Sequence, residues 1–467
     1  ADAPRAWYLT ISKYLVNMGF KKVKGEPCAF VKWNEKDPTS LVGQILIHVD
    51  DGIMSGGEHF LTEHKEILTK KFGVKEYKTG EFINCGLGIK QHGGEVELSQ
   101  THYVEMLDDV MIDKSRAPSE PLTNLDIHHL QSVGGATNWL ATQTRPDLSF
   151  ETSALAGHAN INHEYSVVKL SKKLTEKAKA FKDIKLVFRK LKPPLQIRVW
   201  HDAAFANLPG SRSQCGAIAV VTEAVKSETT KGNPWAWYSH RIKRVCRSTF
   251  TAETLSAVAA EDEALFLQQL YYAWTKTWIP VELRTDCASL DQHIAKLDSQ
   301  PQEKRLKIDL DGLREDVQSN KISLQWCDTR IQYADPLTKT MDATLLRTAL
   351  DTGIWQLEYR GPKVKTYNGP TANQQIVNML HAHYLQHTNL ADWHDHDTDR
   401  SLAVTASTGV LNDTRVSSFN FWQHRARSLL EPVPVNLVDH SARRQTTNPR
   451  NPEPLERTKV TKLDQLD

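Results

Sequence analysis

The sequence lacks three features that would assign it at once to a class of protein. Its six cysteines form no CxxC pair and no tight framework, which argues against a zinc ribbon or disulfide scaffold and favours an intracellular location, cytoplasmic or nuclear. No run approaches about 18 consecutive apolar residues, so neither a membrane span nor a membrane partner is expected. Lys and Arg number 58 against 56 Asp and Glu, so affinity for nucleic acid would need local patches.

The first two thirds of the chain divide into segments with different periodicity. With 467 residues, the chain predicts roughly two to four units. Residues 41–56 alternate as a β-hairpin whose acidic turn is Asp50-Asp51, and a helix is expected from Glu58, with Gly73 as its stop. Residues 118–194 are helical in pattern, and 166–194 carry ten Lys or Arg. These cations indicate either a solvated helix face or a phosphate-contacting surface.

The periodicity changes to two after the prolines at 193 and 194. Three strands from Leu195 precede a long helix, followed by a strand, two helices, a strand and a helix after Asp335. This order predicts a mixed-sheet α/β domain. Beyond about residue 359 the periodicity fades into polar, proline-rich sequence, which predicts a partly disordered tail.

Acidic residues in this second domain occupy the ends of predicted elements. The four are Asp202 on the first strand, Glu253 early in the first helix, Asp286 after the fourth strand and Asp335 at the start of the last helix. If they converge, their mutual repulsion would be relieved by divalent cations, as in metal-dependent nucleases. With 56 acidic residues in the chain, scattered solvated carboxylates are the competing interpretation. Asp50-Asp51 is likewise either a plain hairpin turn or a pair of palm metal ligands.

A series of short motifs resembles copia-type LTR retrotransposon Pol polyproteins in both order and spacing. They span about residues 1–357, and they are APRAWY (3–8), HVDDG (48–52), LSQ (98–100), TRPD (144–147), HDAAFAN (201–207), RSQCG (212–216), STFTAET (248–254), TDCAS (285–289) and ADPLTK (334–339). The resemblance implies an α/β and α+β fold: a truncated reverse-transcriptase palm and thumb/connection followed by a ribonuclease H-like mixed-sheet domain.

The resemblance also implies boundaries for these parts. We expect a partial palm at 1–115, a basic thumb/connection at 116–194, a ribonuclease H-like domain at 195–358 and a polar, partly disordered tail at 359–467. The family's polymerase motif with the first catalytic aspartate lies N-terminal to APRAWY, where this sequence starts, so the third palm ligand is expected to be missing. A fragment from the N-terminal part of the polyprotein would be a partner that supplies it. His48 replaces the usual Tyr of the family's YVDD box, and Cys287 replaces an Asn.

The expected activity is hydrolysis of RNA in RNA–DNA hybrids. The resemblance places the four catalytic acids on Asp202, Glu253, Asp286 and Asp335, which would hold two Mg²⁺ or Mn²⁺ ions, and it places palm-type metal ligands on Asp50 and Asp51. RNA and DNA backbone would be bound by the basic residues Lys169, Lys172, Lys173, Lys177, Arg189, Lys190 and Arg212. The alternative is a non-catalytic remnant that keeps the fold and binds nucleic acid without turnover. An integrase or resolvase on a related fold is argued against by ADPLTK and the upstream palm.

Overall fold

The computed structural model describes residues 3–161, 164–296, 301–359 and 435–439. None of the helices in this described part combines the length and apolar character that crossing a bilayer requires. The expected tail at 359–467 lies outside the described residues except at Tyr359 and in one strand near its end.

The first part of the chain forms a β-rich unit with three helices. Its elements are α1 Ala3–Asn17, β1 Lys21–Val23, β2 Glu26–Trp33, β3 Leu41–His48, β4 Asp51–Gly56, α2 Glu58–Phe72, β5 Glu76–Thr79, β6 Glu81–Asn84, β7 Leu87–His92, β8 Glu95–Ser99 and α3 Thr101–Glu105. Helix α2 starts at Glu58 as predicted and ends where Gly73 adopts a left-handed conformation with φ +66°. The predicted hairpin is β3–β4, although Val49 leaves the alternation and takes φ +50° in the turn.

A helical region and a single strand follow. Its elements are α4 Asn124–Gln143, a 3-10 turn Pro146–Leu148, α5 Ser149–Ile161, α6 Ser166–Ala180 and β9 Lys185–Arg189. Helix α4 begins with a capping box in which Thr123 and Asp126 each accept from the other's backbone N–H. Strand β9 pairs with β8, so the basic stretch is divided between a helix and the edge of a sheet.

The last part contains a long mixed sheet with helices. Its elements are β10 Leu195–Leu208, β11 Arg212–Glu223, β12 Thr229–Arg241, α7 Thr249–Thr275, β13 Val281–Thr285, α8 Ala288–Ala295, α9 Leu306–Gln318, β14 Ser323–Trp326, 3-10 turns Thr329–Ile331 and Asp335–Leu337, α10 Thr344–Thr352 and β15 Ile354–Gln356; the tail adds β16 Val435–Asp439. This order matches the prediction except after β14, where Asp335 lies in a 3-10 turn and the helix begins only at Thr344. The turn ends after three residues, and the carbonyls of Leu337 and Thr338 accept from the side chains of Ser239 and Asn207.

Three sheets result from these strands. Their orders are β1-β2-β3-β4-β16-β5, β6-β7-β8-β9 and β14-β13-β10-β11-β12-β15. In the third sheet β10 pairs antiparallel with β11 and parallel with β13, and β14 continues the parallel side. A mixed sheet with parallel strands beside an antiparallel meander confirms the mixed-sheet α/β fold predicted for this part of the chain.

The apolar core is continuous across the prolines at 193 and 194. One cluster of buried side chains includes Leu98 of β8, Leu186 and Phe188 of β9, Trp200 of β10 and Leu350 of α10. Strand β9 contacts both β12 and α10 in addition to its partner β8. The periodicity of the sequence changes at the expected boundary at 194, but the packing of the apolar core continues across it.

Candidate active site

The central strand β10 carries the first predicted acid into the middle of the sheet. Asp202 is 3% exposed and lies opposite Gly216 on β11. Helix α7 is anchored over this strand because Ser256 Oγ donates to the backbone oxygen of Asp202 at 2.8 Å. That anchor places Glu253, one turn earlier on α7, above the same end of β10.

Three of the predicted acids converge from three elements. Asp202 on β10, Glu253 on α7 and Asp286 after β13 each offer a carboxylate oxygen, and these oxygens lie within 4.8 Å of one another. Glu253 is 5% exposed, and within the described part of the chain its Oε2 has no hydrogen-bond partner. A buried carboxylate oxygen without a donor is costly, so this atom points to a cation as its natural partner.

The fourth acid, Asp335, lies beside this group in the ADPLTK turn. The ammonium of Lys339 is 2.8 Å from Asp335 Oδ1 and 3.6 Å from Asp202 Oδ2, which ties the two carboxylates together. The turn is held by Asn207 Nδ2, which donates to the Thr338 carbonyl at 2.8 Å. Gly216 permits the close approach, since a Cβ there would lie 2.6 Å from Leu337 Cβ. We refer to Asp202, Glu253, Asp286 and Asp335 as the acidic cluster.

Hydrogen bonds orient the carboxylates of the acidic cluster. The hydroxyl of Thr338 donates to Asp202 Oδ2, and Thr329 Oγ1 donates to Asp286 Oδ2 at 2.9 Å. The backbone N–H of Ala203 donates to Glu253. These three donors belong to segments of the chain that carry the acids or come after them in sequence. The fold itself therefore sets the orientations of the carboxylates.

Burial and mutual repulsion disfavour the ionised form of the cluster. Burial raises the pKa of Glu253 well above its usual value, and the charges of Asp202 and Asp286 raise it further. Burial and then the Asp202 charge also raise the pKa of Asp286 and raise that of Asp335 to about 7, against the opposing effect of Lys339 on both. Oxygen-only ligands, close spacing and excess negative charge fit Mg²⁺ or Mn²⁺, with Asp202, Glu253 and Asp286 as the residues that would hold an ion.

The two acids predicted as palm ligands lie in a different environment. Asp50 is exposed in the β3–β4 turn, and Asp51 is half-buried at the start of β4, 3.8 Å from the thiol of Cys85. The turn is fixed by Trp7, whose indole N–H donates to the Val49 carbonyl. Among the residues that the structure describes, no third acid joins Asp50 or Asp51 in a ligand group of the kind formed by Asp202, Glu253 and Asp286.

The predicted nucleic-acid-binding cations fall into two groups. Three are engaged with acids of the protein itself. Lys177 Nζ lies 2.7 Å from Glu151, Arg189 lies 3.3 Å from Glu95, and Lys172 lies 3.8 Å from Glu176. Lys177 also donates to the Asp147 carbonyl at 2.9 Å, so its ammonium holds α6 against the turn that follows α4.

The other four are accessible. Lys169, Lys173 and Lys190 are exposed and Arg212 is half-exposed, and no carboxylate of the described residues lies within ion-pair distance of them. Lys169 and Lys173 are one helical turn apart on α6, opposite the face that buries Val167, Val168 and Leu174. These four are the cations that a phosphate backbone could reach.

Two sets of residues were missed by the sequence interpretation. Thr338 and Lys339 contact the acidic cluster, and both are part of the ADPLTK string, which could have indicated them. The TRPD string forms the 3-10 turn Pro146–Leu148, which packs against the turn Asp335–Leu337 of the acidic cluster. Within the TRPD string, Arg145 and Asp147 form a buried bidentate ion pair with distances of 2.8 and 2.9 Å. The helical region thus supports the loop that carries Asp335.

Comparison with known proteins finds one family model and several solved structures. Residues 1–122 match a family model described as reverse transcriptase (RNA-dependent DNA polymerase). A solved structure of LC11-RNase H1, isolated from compost, is 18% identical and covers 31% of this chain and 92% of its own, with a TM-score of 0.24. A foamy viral protease-reverse transcriptase in complex with dsDNA is 14% identical, covers 61% of this chain and 46% of its own, and has a TM-score of 0.36.

Curated relatives extend over most of the chain. The retrovirus-related Pol polyprotein from transposon RE1 of Arabidopsis thaliana is 25% identical over an alignment of 361 residues, and the match covers 73% of this chain and 23% of the relative. The Ty1-ER2 Gag-Pol polyprotein of Saccharomyces cerevisiae is 25% identical over 372 residues, 72% of this chain and 20% of the relative. The chain therefore spans about a quarter or less of these relatives. Over about 72–73% of its length the chain is thus similar to retrotransposon Pol polyproteins, and its first 122 residues match the reverse-transcriptase family model.

Proposed function

We propose that the chain hydrolyses the RNA strand of RNA–DNA hybrids, with Asp202, Glu253, Asp286 and Asp335 as catalytic residues. The observation that carries the proposal is the approach of Asp202, Glu253 and Asp286 to within 4.8 Å while Glu253 Oε2 is buried without a donor. Acids that served only stability would be expected at the surface or paired with Arg and Lys. A labelled hybrid incubated with the chain and Mg²⁺ or Mn²⁺ tests the proposal directly.

The residues of the chain perform positioning in this mechanism. Thr338 and Thr329 fix the oxygens of Asp202 and Asp286 so that these face the same space. When bound there, two Mg²⁺ or Mn²⁺ ions would activate water and stabilise the departing 3′ oxygen. The depth of the site, with Asp202 and Glu253 almost fully buried, keeps the carboxylates from rearranging when a phosphate approaches.

Binding of the hybrid would depend on the accessible cations Lys169, Lys173, Lys190 and Arg212. Contacts from Lys and Arg to phosphates release counterions, so affinity would depend on salt and not on base sequence. Lys172, Lys177 and Arg189 remain in the proposed set, but their contacts with Glu176, Glu151 and Glu95 support a smaller part for them.

The accessible lysines give a prediction about salt dependence. Replacing Lys169, Lys173 and Lys190 together by Gln should weaken hybrid binding and reduce the slope of log K against log salt by roughly 2 to 3. Fluorescence anisotropy titrations at salt concentrations from about 50 to 300 mM would measure this slope. Lys36→Gln, an exposed lysine in the β2–β3 loop, is the matched control. An unchanged slope in the triple variant would remove these residues from the interface.

We propose further that this chain alone does not extend primers. Two acids on one hairpin would leave an ion without the third ligand that a polymerase site uses, and among the described residues no third acid forms a ligand group with Asp50 or Asp51. Purified protein with an RNA template, a DNA primer and labelled deoxynucleotides should give no product longer than the primer. Template-dependent extension that Asp51→Asn abolishes would contradict this proposal.

The second candidate is a remnant that binds hybrids without cleaving them. The pairing of Lys339 with Asp202 and Asp335 favours this remnant, because an internal cation already neutralises part of the acidic cluster. Intact hybrid in the presence of Mg²⁺ and Mn²⁺, together with measurable binding, would select the remnant over the nuclease.

A further inference from the structure

The acidic cluster is divided into two halves by a cation of the chain itself. In one half, Asp202 and Asp335 share the ammonium of Lys339, at 3.6 and 2.8 Å. In the other half, Asp202, Glu253 and Asp286 lie within 4.8 Å of one another, and no Lys or Arg of the described chain is within ion-pair distance of Glu253 or Asp286. Asp202 belongs to both halves.

An ammonium and a divalent ion compete for the same oxygens. Mg²⁺ and Mn²⁺ require oxygen ligands at about 2.1 Å, and the repulsion between a dication and an ammonium a few ångströms away is strong in a poorly solvated site. The half with Lys339 is therefore closed to an ion unless the ammonium moves away. The half with Glu253 has a buried carboxylate oxygen with no donor and needs no such displacement.

The side chain of Lys339 is able to leave. It is 44% exposed, whereas Asp202 and Asp335 are almost fully buried, so the cation reaches the cluster from the solvent side. The lysine side chain has a flexible four-carbon stem, and its ammonium is a compact point charge that gains hydration when it leaves the cluster. Thr338, by contrast, keeps its bond to Asp202 and holds the turn in place when the lysine moves.

We propose that Lys339 is an internal counter-cation that makes metal loading sequential. The first divalent ion binds Asp202, Glu253 and Asp286, and a second binds the Asp202–Asp335 side only when it displaces the Lys339 ammonium. This inference rests on the proposed function, since it concerns ions at the same acidic cluster. Lys339 is a positioning residue here, because it acts on the occupancy of the site through the carboxylates.

The test is a calorimetric titration of the full chain with Mn²⁺, without nucleic acid. Wild type should bind one ion, with a second at least about tenfold weaker. Lys339→Met should tighten the second site at least about tenfold, whereas Lys339→Arg, which keeps the charge, should behave as wild type. Lys192→Met, at an exposed lysine outside the cluster, is the control for loss of a positive charge.

Thermal unfolding gives a second measurement that does not depend on activity. Lys339→Met should unfold at a lower temperature than wild type in EDTA, because the buried carboxylates of Asp202 and Asp335 lose the ammonium that lies between them, and it should gain more than wild type from added Mn²⁺. If Lys339→Met does not fold, Lys339→Gln, which keeps a polar side chain in the turn, takes its place in both measurements.

The outcomes separate this inference from the proposed function. Equal isotherms for wild type and Lys339→Met, with hybrid cleavage still dependent on Glu253, would overturn the sequential loading and leave the nuclease standing. Tighter second-site binding in Lys339→Met, without cleavage by wild type, would support the inference and refute the nuclease. No Mn²⁺ binding by either protein would overturn both.

Discussion

Glu253→Gln should abolish Mg²⁺-dependent cleavage of RNA in an RNA–DNA hybrid, with a loss of about 10³-fold or more. The substitution keeps the volume of the side chain and removes its charge at the point where α7 meets β10. A metal that stabilises the transition state contributes several kcal/mol, and each 1.4 kcal/mol is roughly tenfold in rate. The measurement is the initial rate on a hybrid labelled at the 5′ end of the RNA, with and without EDTA.

The controls for this prediction are on the same helix. Asp262→Asn removes an exposed acid from α7 and should cleave at close to the wild-type rate. Hybrid binding by Glu253→Gln should persist, because the accessible cations on α6 and β11 are untouched. Cleavage by Glu253→Gln within tenfold of wild type would refute the assignment of Glu253, and a wild type that binds but does not cleave would establish the remnant.

Arg145→Met should lower the free energy of unfolding by about 3–5 kcal/mol. Arg145 is 1% exposed and Asp147 is fully buried, and the guanidinium makes two parallel bonds to the carboxylate at 2.8 and 2.9 Å. Its third nitrogen donates to the Ala178 carbonyl of α6 at 3.2 Å. Removing the arginine leaves a buried carboxylate without its counter-charge, which is the costly part. Guanidinium-induced unfolding followed by tryptophan fluorescence would measure it.

A double variant distinguishes this cause from loss of packing. Arg145→Met with Asp147→Leu removes both charges, so it should be more stable than Arg145→Met alone. The turn that holds Asp147 packs against the turn that holds Asp335, so the single variant should also lose hybrid cleavage at a lower temperature than wild type. A single variant within 1 kcal/mol of wild type, on the order of an ordinary surface substitution, would contradict the proposed role of the pair.

Local sequence signals predicted much of the fold. Helix α2 and its stop at Gly73 follow from apolar spacing and from the freedom of glycine at positive φ. The order of strands and helices from β10 to β14 follows from the change of period after residue 194. The helix expected at Asp335 was wrong: the carbonyls of Leu337 and Thr338 accept from the side chains of Ser239 and Asn207, and the helix forms farther on.

The parts that sequence could not supply depend on contacts between distant residues. Neither the composition of residues 166–194 nor their spacing reveals that Lys177 faces Glu151, 26 positions away, or that Arg189 faces Glu95 in the neighbouring strand. The pairing of β9 with β8 and the contact of the TRPD turn with the ADPLTK turn are likewise tertiary. The four acids were first selected by their places at the ends of predicted elements, and the family motifs then marked the same four among 56 acidic residues.

Strand β9 has a consequence for recombination between related chains. It hydrogen-bonds to β8 on one side, and its Leu186 and Phe188 belong to the same core as Trp200 and Leu350 of the following part. A recombination junction at the prolines would separate β9 from the residues against which it packs. Each product would then carry an element whose apolar face has lost its original partner. Exchange of the part with the acidic cluster between related chains is thus expected to involve a larger block, one that includes the preceding helices and β9.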